Sequence, residues 1–292
     1  MDTLDCSNIT FSLFCPLSFW RNTMSQATGT RDIARKAIES TVNPAVWKKN
    51  GALVEELRKT IKGHRILKHP LIGAMDSGKF DKNALIKFHL EFGTAFAQIF
   101  TDTLLRAMFT CSQLEEDFGP LGKLSARFLL QMNMLDELGF TPSTKGEWEG
   151  SPHDAHYVKF NETLHEMGVN HKEVYFYQAS KESRACRSTF EDNYNDHVLL
   201  TCVLATSESV FDKFAGPWAR NVEKKTKVQV KGGYHDIHAL TDDGTGIDDD
   251  HSDDLWVVFQ QCVPSERYDE VRTLVTRWLD TWAKFADSLA KG

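Results

Sequence analysis

Glu137 follows Leu130 and Met134 at helical spacing, so in a helix its carboxylate lies on the same stripe as two core residues. Gly139, just beyond, is a natural helix stop. After a polar loop, His156, Phe160, Leu164 and Met167 share the inner stripe of the next helix, which aims an imidazole into the same interior. Glu208 lies with Thr201, Leu204, Phe211 and Ala215 along one face of an apolar stretch. An unpaired carboxylate buried there would be costly or would take up a proton. Either a cation stands opposite it, or an arginine or a helix terminus satisfies it. Asp248 and His251 open a further helix whose inner stripe continues through Leu255, Val258 and Cys262, so both can face the core together; His235 and His238 precede them. Imidazole and carboxylate without thiolate point to metal chemistry, and suit iron or manganese better than structural zinc or electron-transfer copper. The acidic run lacks the ligand order of an EF-hand. Asp249, Asp250, Asp253 and Asp254 are expected on an exposed helix start, where the helix dipole favours acidic groups.

The elements that must position these groups read as helices throughout. Residues 44–62 carry Pro44 at a helix start and Val46, Leu53, Val54, Leu57 and Ile61 at helical spacing, ending at Gly63. Asp81 is an N-cap for a long helix to about Cys111, with Leu85, Phe88, Phe92, Phe96, Ile99 and Leu104 inward and His89 and Glu91 expected at its rim. Helical patterns continue over residues 171–182 and 188–215 and close with an amphipathic helix over 265–289, whose Trp278 and Trp282 are core. The expectation is an all-α bundle of about seven or more helices. It begins near Arg31, giving a 31–292 domain after a 1–30 extension. Within that extension, residues 9–19 (ITFSLFCPLSF) are apolar, but Asp2 and Asp5 precede them and Pro16 interrupts them, against a signal peptide; Asn22 to Thr30 reads as a linker.

Composition bounds the function. With 292 residues and 41% hydrophobic content the chain can bury a large core. A net charge of -7, with lysine and arginine spread along the chain, argues against nucleic acid as a partner. No stretch reaches the roughly 18 apolar residues of a membrane span. The six cysteines are far apart, and Cys111, Cys186, Cys202 and Cys262 sit in apolar helical patterns, which predicts packed thiols, no disulfide framework and a cytoplasmic protein.

The order NMLDELG, then HxxxFxxxLxxxG, then an apolar helix with an internal glutamate, then His and DxxH, resembles the haem-oxygenase-like dinuclear iron oxidases and oxygenases over about Phe128 to Phe259. The resemblance implies a haem-oxygenase-like helical bundle. Matched position by position, it implies Glu137, His156, Glu208, His238, Asp248 and His251 as ligands of two Fe(II) per chain, with O2 as co-substrate. The implied reaction is N-oxygenation or oxidative C–C cleavage of a small amino-acid-like, amine or carboxylate metabolite, compatible with an external electron donor and a homodimer. An aromatic helix from Phe88 to Phe109, with Met132 and Met134, suggests an apolar pocket; Arg106, Arg127 and Arg184 are candidates for a substrate carboxylate, each with a solvated surface position as the commoner alternative. Asp136 or Asp154 would orient the imidazoles.

Two spacings depart from that family's pattern. Eighteen residues lie between Glu137 and His156, where the family's pair stands closer, and His238 and Asp248 are 10 apart instead of forming a compact HxxxDxxH. Either a loop is inserted or His238 pairs with Asp242; His153, His235, Asp136 and Asp242 are the alternates. A same-fold enzyme without a di-iron site, thiaminase-like or quinone-biosynthesis-like, and a helical binding protein with merely structural histidines are the competing readings.

Overall fold

The computed structural model describes residues 29–142, 148–238 and 247–290. Most of the expected 1–30 extension, with Cys6 and Cys15, lies outside the described residues. Helix α1 (Thr30–Ser40) lays Arg31 and Arg35 toward the core, and α2 (Pro44–Gly63) starts where Asn43 Oδ1 accepts from Ala45 N at 2.9 Å with Pro44 pre-set for the first turn. Helix α3 (Pro70–Asp76) is short. Helix α4 (Lys82–Phe92) is capped by Asp81, which accepts from Ala84 N.

The long helix expected from Asp81 to Cys111 is interrupted. Gly93–Ala97 winds as a π turn, Ile99 breaks the ladder, and α5 (Phe100–Thr110) resumes after it. The aromatic periodicity runs straight through, which is why pattern alone reads one helix. A Cβ at Gly93 would lie 3.1 Å from the Phe160 ring, so the π turn sits where another helix comes close.

Helix α6 (Glu115–Glu137) bends at Gly119, with φ of 66° ahead of Pro120, and leads into a small antiparallel hairpin of β1 (Phe140–Pro142) and β2 (Trp148–Gly150). Then come α7 (His156–Glu166), the single turn α8 (His171–Tyr175) and α9 (Lys181–Glu191). The helix expected over 171–182 therefore ends early, because the chain at Tyr177 and Ser180 turns in to bond Glu91. The helix expected over 188–215 divides between α9 and α10 (His197–Lys225). Helices α11 (Tyr234–Ile237), α12 (Ile247–Cys262) and α13 (Tyr268–Ala290) complete the chain.

Helix α10 is the centre of the bundle, buried along most of its length and packed on α3, α12 and α13. Its hydroxyls fix its neighbours. Ser207 Oγ accepts from Trp278 Nε1 of α13 at 3.1 Å, and Ser209 Oγ accepts from Trp256 Nε1 of α12 at 3.3 Å. Each gives a buried indole N–H its partner while about 1.5–3 kcal/mol per large side chain comes from burial itself. Asp254, expected to be exposed, is fully buried, paired with Arg31 and Arg35 across α1 and α12. The four described cysteines are buried free thiols, and no described helix is long and apolar enough to cross a membrane.

Candidate metal centre

The separation between Glu137 and His156 is closed by glycine geometry. Gly139 has φ of 80°, and a Cβ there would come within 2.4 Å of the Asp154 backbone. Gly150 packs as tightly on the Gly139 carbonyl. The hairpin therefore folds flat against the end of α6, returning the chain so that His156, the first residue of α7, sets Nδ1 3.2 Å from Glu137 Oε2. Both side chains are buried. Two carboxylates, Asp136 and Glu137, occupy the last turn of α6, the negative end of its dipole, so positive charge nearby has to offset them.

His251, 1% exposed on the second turn of α12, lies between these groups. Its Nδ1 stands 4.0 Å from Glu137 Oε1 and 4.0 Å from Glu208 Oε1, too far for a hydrogen bond, and makes none with the described residues. Its Nε2 lies 2.8 Å from Asp136 Oδ2, at hydrogen-bond distance but off the line of a straight hydrogen bond. Burial pushes the Glu137 carboxyl up, yet the imidazoles of His156, His251 and His238 outweigh it and hold it below the ordinary glutamate range. Asp136 behaves likewise, with burial opposed by His251, His156 and Arg31.

His238, at the end of α11, joins the same group, its ring 4.9 Å from that of His156 and 4.6 Å from that of Tyr234. Of the alternates, His235 is turned away, with Nε2 2.9 Å from His89 Nε2, and His153 is exposed. Asp242 lies outside the described residues, and so does the side chain of Asp248, whose backbone belongs to the first turn of α12. Asp154 is exposed and pairs with Lys159 at 3.2 Å, away from the imidazoles.

Glu137, His156, Glu208 and His238 all line one small cavity of about 50 Å³. Its remaining wall is chiefly aromatic: Phe92, Phe96, Phe100, Tyr157, Phe211, Tyr234 and Trp282. Three of these come from the interrupted α4–α5 segment, as the aromatic pattern suggested. Met132 and Met134 do not line it, because Met134 is spent in the core and Met132 stands only half-buried. Among the described residues no lysine or arginine lines it either. Arg106 lies over the Tyr194 ring, Arg127 donates to Met108 O, and Arg184 donates to Ala179 O.

Two groups read as rim residues are core. His89 is fully buried, and Glu91, 4% exposed, accepts hydrogen bonds from Tyr177 Oη at 2.6 Å, Ser180 Oγ at 2.8 Å and Ser183 Oγ. Both sit beside the apolar stripe, and their partners come from segments far along the chain, so no local signal marks them. Among the described residues, no three His, Cys, Asp or Glu side chains are placed together so that they could hold a metal ion.

No protein-family model and no curated protein matches this chain. Solved structures do. A CADD-like protein of unknown function from Nostoc punctiforme superposes with a TM-score of 0.59 at 13% identity, covering 84% of this chain and 95% of its own. A TenA homolog from Pseudomonas syringae pv. tomato gives a TM-score of 0.60 at 14% identity, covering 84% and 93%. At such identities the likeness shows the fold alone: the chain is an all-α, haem-oxygenase-like helical bundle.

Proposed function

We propose that this haem-oxygenase-like bundle is an O2-using non-haem iron oxygenase or oxidase, holding two Fe(II) through Glu137, His156, Glu208, His238, Asp248 and His251. The observation that carries the reading is His251 Nδ1, buried without a hydrogen bond and equidistant, at 4.0 Å, from carboxylate oxygens of Glu137 and Glu208. Two ligands of one ion, each about 2.1 Å from it, lie roughly 3–4 Å apart, so these separations suit a shared cation and no direct contact. The donor set of imidazole and carboxylate suits iron. Bound ferrous iron would supply the electrons that activate O2.

The chain's own residues do the rest. Asp136 holds the far edge of the His251 ring, leaving Nδ1 turned toward the two glutamates. The aromatic wall excludes water and takes the apolar body of a substrate. Among the described residues no lysine or arginine lines the cavity, so the head group of a small amino-acid-like, amine or carboxylate metabolite would be read at the end where Glu137 and Glu208 would hold the iron. The products would be those of N-oxygenation or oxidative C–C cleavage.

A same-fold enzyme working through a thiol nucleophile is disfavoured by the cysteines. Of the four described cysteines none lines the cavity, and burial pushes the Cys111 and Cys262 thiols up to about 12 and those of Cys186 and Cys202 up as well. The test is anaerobic loading with Fe(II), followed by metal analysis and by mass spectrometry of amino acids, amines and medium-chain fatty acids incubated with reductant and O2. Two irons per chain are expected; no iron above background overturns the reading. Products from none of these classes, with iron bound, overturn the substrate class only.

A further inference from the structure

We propose that His89 and His235 form a neutral donor–acceptor pair that anchors α11 and thereby sets the position of the His238 ring, making both positioning residues of the site. The inference rests on the reading of His238 as part of that site. His89 Nδ1 lies 2.7 Å from Leu85 O, a pure acceptor, so the proton of the His89 ring is on Nδ1. Its Nε2 is then a lone pair, and the His235 Nε2 atom 2.9 Å away must be the N–H that donates to it. Both rings are at most 2% exposed, a setting in which the charged forms are disfavoured and the neutral pair persists.

This bond is one of the ties of α11 to the bundle, beside the Lys159 ammonium donating to the Gly232 carbonyl at 2.9 Å. The helix is four residues long, below the length at which a helix holds itself, and only Tyr234 and His235 of it are buried. Tyr234 packs edge-on against Phe160 at 5.0 Å and tilts over the His238 ring at 4.6 Å. The bond from His235 to α4 is directional and fixes the turn's rotation. His238 stands three residues further on the same turn, so a rotation of the turn at His235 carries the His238 ring with it. Trp218 closes the arrangement, its ring 4.5 Å from His89 and 5.0 Å from His235.

The test begins on the metal-free protein, with long-range 1H–15N correlation spectra of the imidazoles. The expected spectrum has the proton on Nδ1 in His89 and on Nε2 in His235; a His89 proton on Nε2 overturns the pair. His235→Gln keeps an N–H donor near the lost Nε2, and His235→Leu removes it at similar volume. His238 ring signals should stay in place in His235→Gln and shift or broaden in His235→Leu with helical circular dichroism unchanged. Unmoved His238 signals in His235→Leu overturn the positioning role. Should that variant fail to fold, His89→Phe removes the acceptor and is read in the same way. In iron titrations, His235→Leu should bind about tenfold more weakly than wild type while His235→Gln stays close to it; equal affinity in His235→Leu overturns the inference. A wild type that binds no iron overturns the metal reading instead, and the spectra alone then decide on the pair.

Discussion

His251 Nε2 lies 2.8 Å from Asp136 Oδ2, so the residue next to Glu137 in sequence stands against the opposite edge of the ring whose Nδ1 faces Glu137. Adjacent residues at a helix end thus address both nitrogens of one imidazole. Asp136→Asn keeps the shape and removes the charge that orients the ring. It should weaken iron binding about tenfold or more while the melting temperature changes little, measured by anaerobic titration beside thermal unfolding.

Glu208→Gln separates a ligand from a structural carboxylate. A neutral amide is a poorer ligand of nearly equal shape, so iron affinity and activity should fall with helical content intact. A change confined to thermal stability, with iron affinity equal to wild type, would show Glu208 to be a core group only.

Gly139→Ala tests the hairpin. The added methyl meets the Asp154 backbone at 2.4 Å and the residue must hold φ of 80°, so a cost of at least about 1 kcal/mol is expected, with His156 displaced from Glu137. Urea unfolding gives the first quantity. Loss of iron binding beyond that of a control change at the exposed Lys172 gives the second.

Acid should destabilise the fold through histidines that are buried neutral. His197, the first residue of α10, bonds Thr110 Oγ1 through Nδ1 at 3.0 Å, and burial pushes it from 6.5 down to about 4. The unfolded chain binds the proton first, so this stability is whole above about 6.5 and is lost as pH falls toward 4, by about 3 kcal/mol. His89, also pushed down to about 4 by burial, acts in the same direction. Urea melts between pH 7 and 4 should show that slope, and His197→Phe should flatten it by its share; an equal slope in the variant would refute the assignment.

The helical fold, its aromatic core and the inward stripes bearing Glu137, His156, Glu208 and His251 were legible in the chain itself, because each stripe is a local periodicity of apolar residues on which one ionisable group is an exception. The four cysteines within helices and the core tryptophans of α13 were legible for the same reason. What surrounds each group was not. Glu91 lies inside because Tyr177, Ser180 and Ser183 bond it; Asp254 because Arg31 and Arg35 reach it; His89 because His235 does. Those partners are separated from them by scores of residues, and periodicity within one helix carries no record of the helix opposite. Whether a polar side chain is a solvated rim or a buried anchor depends on the hydrogen bonds that compensate its desolvation, and only the tertiary packing brings those donors and acceptors to it.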